Sequence, residues 1–537
     1  MKKIDHSQMI MVRANVGVIA GILSLGFKLR QRRRRDTIMK FHIAAIIMAA
    51  VCLPLMVSAQ TPEGTAIVPE AVLTPDIIET ESIGTLEFFD GMPTHDTVEK
   101  VYDFIDLARG VDAFLNGIPA TSLYSLLRGL REAGVQPLEI AIFQELMDAN
   151  TLYLTPNTTT MYVLSQLDLS NGPVVAEIPP GVLGFLDDAY FRYVVDFGVL
   201  GPDRGDGGNY LILPPGYDGD IPEGYFVVRS TTFDHWFLLR GFVENGDLEA
   251  AADNIREHAR LYPLSQANDP PEQVFHNHSG LRYNTVHANN FEFYEELNAV
   301  IQKEPADAFN PELVGIFAAI GIQKGEPFEP DARMKRILTE AAAIANATAR
   351  AISYSPRSEG VFLYEDRYWT SPFAGGSHEF IDNGARMLDQ RVFFHYIATG
   401  ITPAMARSAV GQGSAYALTA KDIDNNYLDG GKTYKIDLPS PVPADDFWSF
   451  MVYSGQHRSM LETDQRSAGV DSLSESNVAN DDGSYTIWFG PEAPEGREGN
   501  WVQTIPGKSF NVMFRLYGPL EPWFDKTWKL GDFELVE

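Results

Sequence analysis

The chain is poor in cysteine and in positive charge. One cysteine, Cys52, stands among 537 residues, so neither a disulfide framework nor a thiolate metal site can be built from it. Stability has to come from packing. Lys and Arg number 42 against 72 Asp and Glu, a formal net charge of -30. Such a surface repels a phosphate backbone, which excludes nucleic acid as a partner. Beyond residue 59 no apolar run approaches the roughly 18 residues that a membrane helix needs. Several reaction signatures are also missing: no G-x-S-x-G elbow, no P-loop and no dinucleotide fingerprint. The stretch "GSHEF" (376–380) is followed by no second histidine at zincin spacing. No cofactor is therefore assigned.

What is present begins with an export pattern. Lys40 opens a short segment, Ile43 to Val57 is apolar, and Val57-Ser58-Ala59 is a small-residue cleavage site before Gln60. Residues 39–59 read as a secretory signal peptide. Residues 1–38 form an upstream basic extension, in which Arg34-Arg35 is a poor twin-arginine match. The expected location is the periplasm or the outside of the cell, with no membrane span once the signal is removed.

The remainder divides by pattern. Residues 60–95 read as a mobile lead-in rich in Thr, Pro, Glu and Gly. Residues 96–246 read as N-terminal helices followed by a β domain, 247–357 as a helical middle segment, and 358–537 as a second β domain. In 96–134, Val98, Val101, Phe104, Ile105 and Leu107 have helical spacing. A break is expected near Gly117-Ile118-Pro119, with Asp96 as N-cap and Glu99 three residues on. Between 150 and 245, short β-branched and aromatic runs alternate with Gly, Pro and Asn, which suggests antiparallel strands. Helical patterns cover 247–264, 291–303, 310–321 and "DARMKRILTEAAAIANATARAISY" from Asp331, whose side chain is placed to cap. Strands resume after 358, interrupted by an acidic, Ser-rich loop at 462–482.

Several candidates for chemistry stand out. His276, His278 and His287 are the metal candidates, but two ligands without a clear third make a poor site, so no metal is assigned. "KDIDNNYLDGGK" (421–432) spaces Asp422, Asp424 and Asn426 like a calcium loop, yet Tyr427 stands where its glycine belongs and Thr433 where its glutamate belongs. A turn explains it better. Asp445-Asp446 and Asp481-Asp482 flank turns as solvated acids. Trp448, Tyr453, Trp488, Trp501, Tyr517, Trp523 and Trp528 crowd the C-terminal β region, as a core or as a sugar-stacking face. Asn157 to Thr160 is a polar patch opening a strand. Its candidate ligand contacts are Asn157, Thr160 and Tyr162, joined by Arg229 and Ser230 from "VVRSTTFDHW" and by Arg458 and Trp501.

Two long stretches carry a resemblance. "PNTTTMYVLSQLDLSNGPVVAEIPPG", "FRYVVDFG" and "NYLILPPGYDGDIPEGYFVVRSTTFDHW", within Asn150 to about Val243, resemble the exported bacterial domain of unknown function 1254. "DFWSFMVYSGQHRSMLETDQ" and "DDGSYTIWFGPEAPEGREGNWVQTIPGKSFNVMFRLYGP", from Tyr434 to the end, are similar to its partner domain 1214. His457 and Glu462 depart from the neutral residues expected there. The resemblance implies a mainly β protein: an immunoglobulin-like β-sandwich, a helical middle and a C-terminal jelly roll. It implies no reaction. The reading that follows is a binding protein for a small polar ligand or glycan. The alternatives are a hydrolase with a histidine and carboxylate pair, and an assembly protein forming homo-oligomers.

Overall fold

A computed structural model describes residues 68–243 and 246–536. The expected signal peptide, the basic extension before it and Cys52 lie outside the described residues. Residues 68–74 hold one short turn, Glu70–Val72, apart from the compact unit Pro75–Glu537. Within that unit, part of the stretch read as a lead-in forms a small antiparallel sheet of Ile77–Thr80, Gly84–Phe89 and Met92–Pro93.

Helices run through the whole unit. They are α1 (His95–Glu132), α2 (Leu248–His258), α3 (Glu292–Lys303), α4 (Pro311–Ala318), α5 (Ala332–Tyr354), α6 (Leu388–Ile397), α7 (Pro403–Ala406) and α8 (Glu521–Phe524). Helix α5 starts as its sequence requires, with the Asp331 carboxylate accepting from Met334 N at 2.8 Å. Helix α1 does not. Its N-cap is Thr94, which accepts from Thr97 N, and not Asp96. It also continues unbroken through Pro119. Burial overrides the local signal, because Phe114, Ile118 and Leu123 around the proline are core residues. The Thr121 hydroxyl bonds the Gly117 and Ile118 carbonyls at 3.3 and 3.2 Å. Glycine at 110 and 117 permits close helix packing: a Cβ at 110 would lie 2.7 Å from Ala341 Cβ, and one at 117 would lie 3.0 Å from Leu297 Cδ2.

Four larger sheets carry the β structure. The first has six strands in the order Phe275–Asn277, Ile140–Ile142, Met161–Asp168, Asp234–Gly241, Val182–Asp188 and Tyr193–Gly198. The second orders Phe226–Arg229, Gly208–Leu213, Val174–Ile178 and Arg260–Pro263. These two share a core with α2, joining Val163 and Phe237 to Ala176, Ile212 and Ile255. The opposite face of the six-stranded sheet is covered by α1. Leu123, Leu126, Leu127 and Leu130 pack there on Leu164, Phe185 and Trp236, each buried leucine worth about 1.5–3 kcal/mol. In the C-terminal region one sheet orders Ser414–Thr419, Phe510–Pro519, Ala444–Ser454 and Gly469–Asp471. The other orders Trp501–Gln503, Tyr485–Gly490, Thr433–Leu438 and Glu534–Val536. Their inner faces meet through Phe450 and Phe489, ring centroids 5.8 Å apart.

The expected mainly β architecture, an immunoglobulin-like sandwich followed by a jelly roll, is corrected by this arrangement. The fold is mixed α/β, with helices in the N-terminal, middle and C-terminal parts, and no sheet closes into a barrel. Three sheets carry a parallel edge pair: Phe275–Asn277 with Ile140–Ile142, Phe226–Arg229 with Gly208–Leu213, and Trp501–Gln503 with Tyr485–Gly490. The physical reason is that the apolar face of the six-stranded sheet is buried under a helix, and local strand patterning does not reveal what covers a strand. Among the described residues no helix is long and apolar enough to cross a membrane.

Candidate functional site

The polar patch is an internal turn. The Asn157 side-chain oxygen accepts from Thr159 N, Thr159 Oγ1, Thr160 N and Thr160 Oγ1, all at 3.1–3.2 Å. Asn157 N donates to the Tyr162 hydroxyl at 3.3 Å. Asn157, Thr160 and Tyr162 are therefore brought together, but all three are buried. An amide is needed here because it can gather several donors where the backbone has left the strand ladder. Thr158 takes no part in this cluster, its hydroxyl lying 3.0 Å from Ser467 Oγ.

The other candidates scatter. Arg229 is exposed on an edge strand and donates to the Tyr217 carbonyl at 3.3 Å. Ser230 is buried against His235 Nε2 at 2.6 Å. Neither bonds the patch. Arg458 is buried, with its guanidinium 4.0 Å from the centre of the Tyr396 ring. Its Nη1 donates to Tyr396 O at 2.7 Å and faces His287 Nε2 at 3.2 Å. The departures near it are structural too: Glu462 pairs with Arg282, both at the surface.

The histidines separate as well. His276 pairs with Glu139 at 2.8 Å, both about a third exposed or less. His278 is buried beside the Tyr283 hydroxyl at 3.0 Å, and burial lowers it to about 4. His287 lies beside Arg458, and burial, reinforced by that charge, lowers it to about 3. Among the described residues no three His, Cys, Asp or Glu side chains are grouped to hold a metal ion. Of the C-terminal aromatics, Trp448, Tyr453, Trp523 and Trp528 are core residues, while Trp488, Trp501 and Tyr517 are half-buried; of these three Trp501 lines a polar cleft.

Trp501 is half-buried and lines a cleft of about 390 Å³ that Thr158 reaches from the other side. Residues 462–482, expected as a loop but containing the strand Gly469–Asp471, contribute Gln465, Arg466, Ser467 and Asp471 to its lining. Gln465 fastens the loop to the Trp501 strand, donating to Trp501 O at 3.1 Å and accepting from Gln503 N at 2.8 Å. Arg466 crosses the seam to the Glu145 carbonyl. Asp471 accepts from Leu473 N and Ser474 N, and burial raises its carboxyl above the ordinary range. The Trp501 indole donates to Gly490 O at 3.0 Å, which fixes the ring. The cleft thus offers hydroxyl, amide, carboxylate and guanidinium groups beside an aromatic ring. Sequence reasoning reached Trp501 but marked 462–482 only as a loop, whose Ser and Asp content was the available signal.

Two other cavities are less suited to a polar ligand. One of about 400 Å³ lies among α1, α5 and α6, where Leu115, Ile352, Val361 and Phe393 form an apolar wall and Arg357 and Asp389 at its rim already pair at 3.2 Å. Another of about 300 Å³ holds Asp168, Asp234, Lys303 and Glu304. Its charges already satisfy one another: Lys303 lies 2.9 Å from Asp168, and Glu304 accepts from Phe233 N and Asp234 N.

The geometry defines a mixed α/β chain whose two β regions meet at a polar cleft. Residues 139–263 match a protein of unknown function (DUF1254), and residues 413–521 match a protein of unknown function (DUF1214). The chain contains this pair of domains. Every residue lining the Trp501 cleft falls inside one of the two matched segments. No curated protein matches the chain. Among solved structures, the VPA0106 protein of Vibrio parahaemolyticus is 18% identical, with a TM-score of 0.51, covering 80% of this chain and 100% of its own. An uncharacterized protein from Burkholderia cenocepacia is 12% identical, with a TM-score of 0.35, covering 81% of this chain and 96% of its own. The first shows a shared fold.

Proposed function

We propose that the chain is an exported binding protein for a small polar ligand of the saccharide class, held in the Trp501 cleft. The observation behind this reading is that both matched segments, and only they, build the cleft. A saccharide offers an apolar ring face and a rim of hydroxyls. Trp501 supplies the stacking partner, and Thr158, Ser467, Gln465 and Asp471 supply donors and acceptors. Export rests on the signal pattern at 39–59, and N-terminal sequencing of the periplasmic form is its check, with Gln60 expected first. Binding is tested by screening mono- and disaccharides by thermal shift, followed by calorimetry. Trp501→Ala should weaken binding by at least about tenfold, since a stacked aromatic contributes on the order of 1–2 kcal/mol. A screen in which no saccharide raises the melting temperature of the wild type would reject this reading.

A further inference from the structure

The Trp501 cleft is charged unevenly. Three acidic residues line it, Glu145, Asp471 and Glu498, against one basic residue, Arg466. None of the four forms an ion pair among the described residues. Arg466 donates through Nη2 to the Glu145 carbonyl instead. Glu145 and Glu498 are exposed, and their hydrogen bonds are long: Asn277 Nδ2 lies 3.3 and 3.4 Å from the two Glu145 oxygens, and Glu498 Oε1 accepts from Gly496 N at 3.3 Å. Asp471 is half-buried and held in place. It ends the strand Gly469–Asp471, paired with Ser449, and its carbonyl accepts from Asn477 Nδ2 at 3.0 Å. Its Oδ1 accepts from Leu473 N at 2.9 Å and from Ser474 N at 3.0 Å. Its Oδ2 makes no hydrogen bond among the described residues and is not a buried atom, so it stays open to an incoming donor.

Ionised carboxylates only accept hydrogen bonds, and a charged donor makes the stronger bond to them. The hydroxyls of Thr158 and Ser467 and the amide of Gln465 serve any sugar equally. Three acids against one guanidinium do not: they repel an acidic sugar and attract a cationic one. The face of the Trp501 indole favours positive charge in the same way. We infer, resting on the reading of this cleft as a saccharide site, that its ligand is an amino saccharide, with a sugar face on Trp501 and its ammonium group on Asp471 Oδ2. Asp471 is then the residue that sets specificity, and the exposed Glu145 and Glu498 add to the field that draws the cation in.

The test is calorimetry on the full chain, at neutral pH and low salt, with glucosamine, N-acetylglucosamine, glucose and glucuronic acid. The first two share a skeleton and differ in charge. Glucosamine should bind at about one equivalent per chain and at least about tenfold more tightly than the other three, the size of one charge-assisted hydrogen bond. The preference should narrow as salt is raised. Asp471→Asn keeps an oxygen for Leu473 N and Ser474 N but drops the charge, and should bring the ratio of glucosamine to N-acetylglucosamine affinity close to one. If that variant fails to fold, Glu498→Gln at an exposed position should lower the ratio severalfold. The two assignments fail separately. If none of these sugars binds, the saccharide reading falls and the amino saccharide with it. If an uncharged or acidic sugar binds as tightly as glucosamine, or the folded variants keep the wild-type ratio, the cleft remains a saccharide site and the amine assignment is overturned. Ethanolamine binding as tightly as glucosamine would overturn it too, since that amine brings no ring to Trp501.

Discussion

The Asn157 turn and the polar groups around Arg240 and Arg515 both lie beside the strand Met161–Asp168, and they behave oppositely. At the turn one amide oxygen gathers four donors, and no side-chain atom of residues 157–160 is buried without a partner. Around the arginines, Arg240 Nε, Arg515 Nη1 and the hydroxyls of Tyr153 and Tyr517 are buried without a partner among the described residues. Polarity alone, read along the chain, marks the first region and passes over the second. What separates a structural polar cluster from a binding one is whether its hydrogen bonds close internally.

Four substitutions break or sharpen this contrast, from the largest expected effect to the smallest. Asn157→Ala should cost about 2–3 kcal/mol in urea unfolding, because it strands the Thr159 and Thr160 amides in the interior. A loss under about 0.5 kcal/mol, the usual size for a free surface group, would mean that the turn is not a closed cluster.

His287 tests the contrast by proton. Its Nδ1 donates to Ala288 O at 2.8 Å and its Nε2 accepts from Arg458 at 3.2 Å, so only the neutral ring closes the network. Its folded value, about 3, lies below the ordinary 6.5. The unfolded chain therefore takes up a proton first as pH falls. Stability from this group is complete above 6.5 and is lost on going down toward 3. Between pH 6.5 and 5 the loss should be about 2 kcal/mol. His235, His278 and His395 are lowered by burial and act in the same sense, while Glu296 and Glu304, each raised to about 7, act in the opposite one. The useful measurement is thus the difference in pH slope between the wild type and His287→Gln, which should be shallower. Equal slopes would remove His287 from the closed class.

Arg240→Met should change stability by less than about 1 kcal/mol or raise it, since a half-buried cation without a hydrogen bond among the described residues gives way to an apolar chain of similar reach. A large loss would show that Arg240 is internally satisfied after all. Arg229→Ala, on an exposed edge, should stay within about 0.5 kcal/mol and leave saccharide binding unchanged. Loss of binding there would return Arg229 to the site.

The local features of this fold were readable. Asp331 and the alanine-rich run after it specify α5 through capping and propensity, and the short β-branched runs mark most strands. Pro119 was misread because a breaker signal carries no information about the core that holds α1 together across it. The sheets were out of reach for a similar reason. Ile140–Ile142 pairs in parallel with Phe275–Asn277, and nothing within either segment names the other. The site was legible in part. Trp501 stood out as an aromatic among polar residues, but the Thr158 and Ser467 hydroxyls of its cleft come from segments far apart in the chain, and only folding puts them side by side.

The leucine face of α1 bears on how such a chain can be inherited. Leu123, Leu126, Leu127 and Leu130 lie upstream of the segment 139–263, yet they cover its Leu164, Phe185 and Trp236. A gene rearrangement that moved 139–263 alone would carry off a sheet with its greasy side bare. The heritable unit must therefore start no later than α1. Because Gly110 and Gly117 of that helix are fitted against Ala341 and Leu297, the middle helices are bound to travel with it.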